Sequence, residues 1–172
     1  MGDKAVTYYR EILRQVDAFS RQVEERCRYL IACRRGCSSC CILGSVNALE
    51  AWHLRGAFEA LPPEEREIVR RRADSDEDRC VFLHREACLI YADRPVICRT
   101  HGLPILVEGR VDHCPKNFTG VDAIDPSLVL NLETLNLKLT AVNLLFQKDP
   151  PGELYREERI TLKRLVLMGT VL

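Results

Sequence analysis

At 172 residues and 19.7 kDa the chain is long enough for one domain with a sizeable core, so a metal is not needed merely to supply one. Its 25 basic residues balance 25 acidic ones, and the zero formal charge removes the electrostatic case for nucleic acid or an anionic membrane as partner. No apolar run is long enough to span a bilayer and none follows Met1, which predicts a cytoplasmic chain whose nine cysteines are thiolates for metal or redox chemistry rather than disulfides.

In chain order, Tyr9, Ile12, Leu13, Val16, Phe19, Val23, Cys27 and Leu30 recur at steps of three and four, predicting an amphipathic helix from about residue 5 to 32 with Cys27 on its apolar face. Gly36 breaks that pattern. Ser45 is a cap for a helix reaching about Arg55, and Pro62-Pro63-Glu64-Glu65 opens another that ends near Arg72. Asp74 to Asp78 reads as a solvated acidic connector, since it lacks the central glycine and closing glutamate of a calcium loop.

The middle of the chain is irregular. Residues 80–83 and 88–91 suggest one small hairpin, and 103–107 with 110–113 a second around Glu108-Gly109. One helical turn is expected at 95–99. Asp125-Pro126 then opens a leucine-rich helix ended by Pro150-Pro151-Gly152, and a last helix starts near Glu153. The whole predicts a mainly α, single domain over residues 1–172. It has short β-hairpins in a Cys-rich central region and a C-terminal helical hairpin from about 125. An alternative expectation is that those helices dock a homodimer or an unknown protein partner.

Four cysteines fall within nine residues: Cys33, Cys37, Cys40 and Cys41. Thiolates are soft ligands, and three or four of them fill a tetrahedral zinc or iron site. Cys37 and Cys40 have the spacing of two ligands on one ion. Adjacent Cys40 and Cys41 diverge, which suits two sites or one ligand beside a free thiol. Cys80, Cys88, Cys98 and Cys114 complete a set of eight, enough for two four-thiolate sites or for one iron–sulfur cluster with cysteines to spare.

The Cys37–Cys40 spacing also matches dithiol redox motifs, but those open a helix after a strand, whereas this one follows a long helix. His53, His84, His101 and His113 are secondary candidates, the last two favoured by nearness to Cys98 and Cys114. Arg94 and Arg99 flank Cys98 and suit the surroundings of an anionic thiolate centre; Tyr91 is an apolar wedge with a polar tip beside them. No Ser-His-Asp spacing, phosphate-cradling loop or His-Glu-x-x-His is present, so catalysis is left open.

The cysteine segment, with Cys80-x-Phe-Leu83, Cys88-x-Ile-Tyr91 and Arg94-Pro95-x-x-Cys98-Arg99, resembles the CxxCxxCC cysteine-cluster family, described as zinc- or iron-chelating. Flagellin lysine methylases are related to the same family and are larger proteins. The resemblance implies metal ligation by Cys33, Cys37, Cys40, Cys41, Cys80, Cys88 and Cys98, and a supporting role for the arginine motif. Cys114 is added from the cysteine count. Ser39 stands where the family often has glycine. The expected function is zinc or iron binding, as single ions or an iron–sulfur cluster. The alternatives are a metal-stabilised interaction module and an iron-dependent redox or transfer enzyme.

Overall fold

The computed structural model describes residues 2–34, 36–75 and 78–168. Among them the chain runs α1 (Gly2–Arg26), β1 (Ser45–Val46), α2 (Ala48–Glu59), α3 (Pro63–Ala73), β2 (Leu83–His84), β3 (Ala87–Cys88), α4 (Val96–Thr100), β4 (Ile105–Val107), β5 (Arg110–Asp112), β6 (Leu130–Asn131), α5 (Leu132–Phe146), α6 (Pro150–Glu153), β7 (Ile160–Thr161) and α7 (Leu162–Leu167). The architecture is mainly α with short hairpins, as the sequence patterns predict. No helix among the described residues is long and apolar enough to cross a membrane.

The chain forms two compact units. The first comprises Asp3–Arg34 and Val96–Leu144, the second Arg35–Pro95 and Leu145–Leu172. In the first, Val23, Leu103, Phe118 and Leu128 form a buried cluster against which Cys27 and Leu30 pack. Each such apolar side chain contributes about 1.5–3 kcal/mol when fully buried. Cys27 is therefore a packing residue. Strand β4 pairs antiparallel with β5 through the Glu108-Gly109 turn and parallel with β6, setting Ile105 opposite both Asp112 and Leu130.

Helix α1 stops at Arg26, six residues before its predicted end. The cause is tertiary competition for the backbone: Leu30 carbonyl accepts from Phe118 N–H (2.8 Å), and Ala32 N–H donates to Asn117 Oδ1 (2.8 Å). Groups spent in this way cannot extend a helix. Asp125-Pro126 likewise opens only a 3-10 turn, Pro126–Leu128, capped by the Asp125 carboxylate through Ser127 N–H, because Leu130-Asn131 is then drawn into β6 beside β4. Asn131 Oδ1, accepting from Thr134 N–H (2.8 Å), instead caps α5.

In the second unit, α7 packs on α2 and α3, and β1 pairs antiparallel with β7. Asn47, rather than Ser45, caps α2, since Ser45 is used in β1 opposite Thr161. Buried Arg55 donates to the carbonyls of Leu165 and Met168 (both 2.7 Å), satisfying the C-terminal end of α7. The last helix begins at Leu162, not Glu153. Residues 150–153 form their own turn of helix, and Thr161 supplies the cap by accepting from Arg164 N–H. Within the acidic connector, Asp76 and Glu77 lie outside the described residues.

Gly152 is the tightest point of this region, since a Cβ there would collide with the Phe146 carbonyl and Gln147 Cα. Relief requires backbone movement, so Gly152→Ala is expected to lower unfolding stability by about 1–3 kcal/mol. Urea denaturation measures this; an unchanged midpoint would show that the 146–152 turn relaxes freely.

Candidate metal centre

The nine-residue cysteine segment is divided between the two units: Cys33 belongs to the first, and Cys37, Cys40 and Cys41 to the second. Arg35, between them, lies outside the described residues.

Beside the exposed Cys40, the second unit holds four more thiols, Cys37, Cys41, Cys80 and Cys88. Cys80 N–H donates to the Cys41 carbonyl (2.9 Å), tying the cysteine loop to the start of the β2–β3 hairpin. That hairpin turns through Arg85 (φ 47°) and Glu86 (φ 59°), both left-handed as a two-residue hairpin turn requires. It returns Cys88 opposite Leu83, three residues from Cys80. The Glu86 carboxylate accepts from Ser38 Oγ, so the turn is also fastened to the residue after Cys37.

These thiols sense one another. Burial, then the neighbouring Cys88 and Cys37, push the Cys41 thiol up, against Arg79 and a hydrogen bond from Cys40. Burial chiefly, with Cys88 and Cys41, pushes Cys80 up to about 11, against a backbone hydrogen bond at Phe82 and the charge of Arg72. Burial raises Cys88, opposed by a backbone hydrogen bond at Ile90 and by Arg94. Without a metal, Cys41, Cys80 and Cys88 are thus held as neutral thiols at neutral pH, with the charges of Arg79, Arg72 and Arg94 respectively opposing that shift. Arg79 also donates to Ser38 carbonyl (2.7 Å) and Oγ (2.8 Å), and Arg94 lies over the Tyr91 ring at 3.8 Å.

The first unit holds Cys33, Cys98 and Cys114. Cys33 Sγ and Cys114 Cβ both border Gly102, while Cys98 sits half-buried on α4, which ends two residues before that glycine. Arg99 is committed to Asp17 through two bonds of 2.7 and 2.6 Å. His113 Nδ1 faces the Cys114 carbonyl (3.1 Å), with its ring on Phe118, and His53 lies 3.4 Å from Asp93. Arg72 and Arg79 carry no motif and escaped sequence reasoning; their only sequence signal is proximity to Cys80.

Among the described residues no three Cys, His, Asp or Glu side chains converge tightly enough to hold an ion as they stand. The donor chemistry nevertheless fits a thiophilic metal. Thiols that share a buried site and repel as anions are brought together by a cation, and guanidinium groups offset the remaining negative charge.

Residues 32–115 match the model of the CxxCxxCC family, described as a "putative zinc- or iron-chelating domain". That stretch is similar to a cysteine-cluster domain of the metal-chelating class, CxxCxxCC. No curated protein and no solved structure matches the chain.

The raised Cys80 thiol sets a pH dependence. An unfolded thiol near 9 ionises before the folded one near 11, so the unfolded state gains as pH rises between them. Reduced, metal-free protein should keep this contribution below pH 9 and lose about 2–3 kcal/mol of it by pH 11. Urea unfolding across that range should show a shallower fall for Cys80→Ser; equal slopes would contradict the burial of the thiol.

Proposed function

We propose that this chain binds zinc or iron through its cysteine cluster, with Cys37, Cys41, Cys80 and Cys88 as one ligand set and Cys33, Cys98 and Cys114 as ligands in the other unit. The observation that carries this reading is the gathering of Cys41, Cys80 and Cys88, with Cys37 close enough to Cys41 to act on it, anchored by the Cys80–Cys41 backbone bond. Cys40, exposed and hydrogen-bonded to Cys41, is an auxiliary thiol. When bound, zinc supplies a structural clamp, and iron supplies electron transfer or cluster chemistry. The protein's own part is to hold the thiols together, to surround them with Arg72, Arg79 and Arg94, and to release protons as the metal enters.

A second reading, an interaction module docking through α5, is favoured by one feature. Leu137 is 73% exposed and Leu144 55% exposed on that helix. A homodimer formed there would be disrupted by Leu137→Asp, read as a halved mass in solution; a wild-type monomer at high concentration would remove this reading.

Anaerobic purification followed by elemental and sulfide analysis tests the metal assignment. Colourless protein with one or two zinc ions per chain supports clamps, and brown protein with iron and sulfide supports a cluster. Cys41→Ser and Cys88→Ser should each weaken retention of the same metal by at least the factor of about 10–100 seen when supporting residues are lost. Absence of both metals from freshly reduced protein would sink the proposal.

A further inference from the structure

We infer that Asn117 is a positioning residue that presents the sulfur of Cys33, beside Cys114, as a metal ligand, with Gly102 keeping the space in which they meet. The inference rests on the zinc-or-iron reading above. Asn117 lies two residues beyond the stretch matched by the family model.

Asn117 is 1% exposed, and its amide is used on both sides. Oδ1 accepts from Ala32 N–H at 2.8 Å, and Nδ2 donates to the Gly102 carbonyl at 2.7 Å. These two partners fix which end of the amide is which, because a backbone N–H can only donate and a carbonyl can only accept. The second Nδ2 hydrogen is then left for Cys33 Sγ, 3.4 Å away. A thiol is a weak acceptor, whereas sulfur bearing charge is a much better one, so an N–H directed at it favours the thiolate that a metal requires.

Gly102 stands where these groups meet. Its φ of +89° belongs to the region that favours glycine. A Cβ there would lie 3.0 Å from Cys33 Sγ, 3.1 Å from Asn117 Nδ2 and 3.5 Å from Cys114 Cβ. The turn is held from outside as well: Asn117 N–H donates to the Cys114 carbonyl, and Phe118 N–H to Leu30 (both 2.8 Å). The backbone therefore places Cys33, Cys114 and the amide around one point before any metal is present. A buried asparagine that only bridges two chain segments would need Ala32 and Gly102, but would not need the sulfur.

The test is an anaerobic cobalt titration of the full-length, reduced, metal-stripped protein, read by the sulfur-to-cobalt charge-transfer band. Asn117→Asp keeps the shape and the acceptor for Ala32 N–H but removes both Nδ2 donors, to sulfur and to the Gly102 carbonyl. It should weaken the cobalt sites that depend on Cys33 by about 10–100-fold. Cys33→Ser should show a comparable loss, and Asn117→Asp should cost markedly less in the Cys33→Ser background than in the wild type, the remainder being the lost bond to Gly102. Independent, additive losses in the double variant would assign Asn117 a merely structural role and overturn the inference. Should Asn117→Asp fail to fold, alkylation of the wild-type protein decides: zinc loading should slow modification of Cys33 and Cys114 at least about ten-fold, and equal rates would overturn it. Wild-type protein that takes up no cobalt would overturn the metal reading with it. Cobalt-binding wild type with an unaltered Asn117→Asp variant would overturn this inference alone.

Discussion

The hydrogen bond from Cys80 N–H to the Cys41 carbonyl, 2.9 Å long, joins two segments that nothing local in the sequence would bring together. The cysteine loop before α2 and the β2–β3 hairpin meet through it, and the left-handed turn at Arg85-Glu86 then returns Cys88 to the same place. A single backbone bond contributes about 0.5–1.5 kcal/mol net. Its importance lies in registration: it fixes Cys80 beside Cys41, while the Ser38 contacts with Glu86 and Arg79 hold the same two segments together.

Buried thiols are costly to ionise, and so Cys41, Cys80 and Cys88 all sit above the ordinary thiol range, burial being the largest cause for each and neighbouring thiols adding to it for Cys41 and Cys80. Such a group is stable as neutral thiols and responsive to a cation, whose charge reverses both effects. The guanidinium groups of Arg72, Arg79 and Arg94 act in the same direction without closing the site, because arginine offers no electron pair to a metal. The second unit thus separates the two requirements of a thiolate centre, charge balance from arginine and ligation from cysteine. In the first unit, Arg99 is spent on Asp17, and a neutral amide, Asn117, faces the sulfur instead.

The cysteine segment was legible in the sequence because chance core filling does not produce four cysteines in nine residues, and the helical class was legible from apolar spacing. The limits were tertiary. Residues 27–32 continue the period of α1, yet their backbone is claimed by Asn117 and Phe118, from a segment more than eighty residues away. Asp125-Pro126 has the local chemistry of a helix start, but an extended pair, Leu130-Asn131, must first join β4, so the cap moves to Asn131. Arg79 and Asn117 were invisible for a related reason. Neither stands in a recognisable spacing, and each acquires its role only when the chain closes on Ser38 or on Cys33.

The central claim is that thiolates of this chain form the first coordination sphere of a metal. X-ray absorption at the metal edge of anaerobically loaded, full-length protein tests it most directly. The account predicts a sulfur-dominated shell, with about four sulfurs near 2.3 Å if the metal is zinc. A shell of nitrogen and oxygen at about 2.0–2.2 Å would contradict it and would separate the cysteine cluster from metal binding.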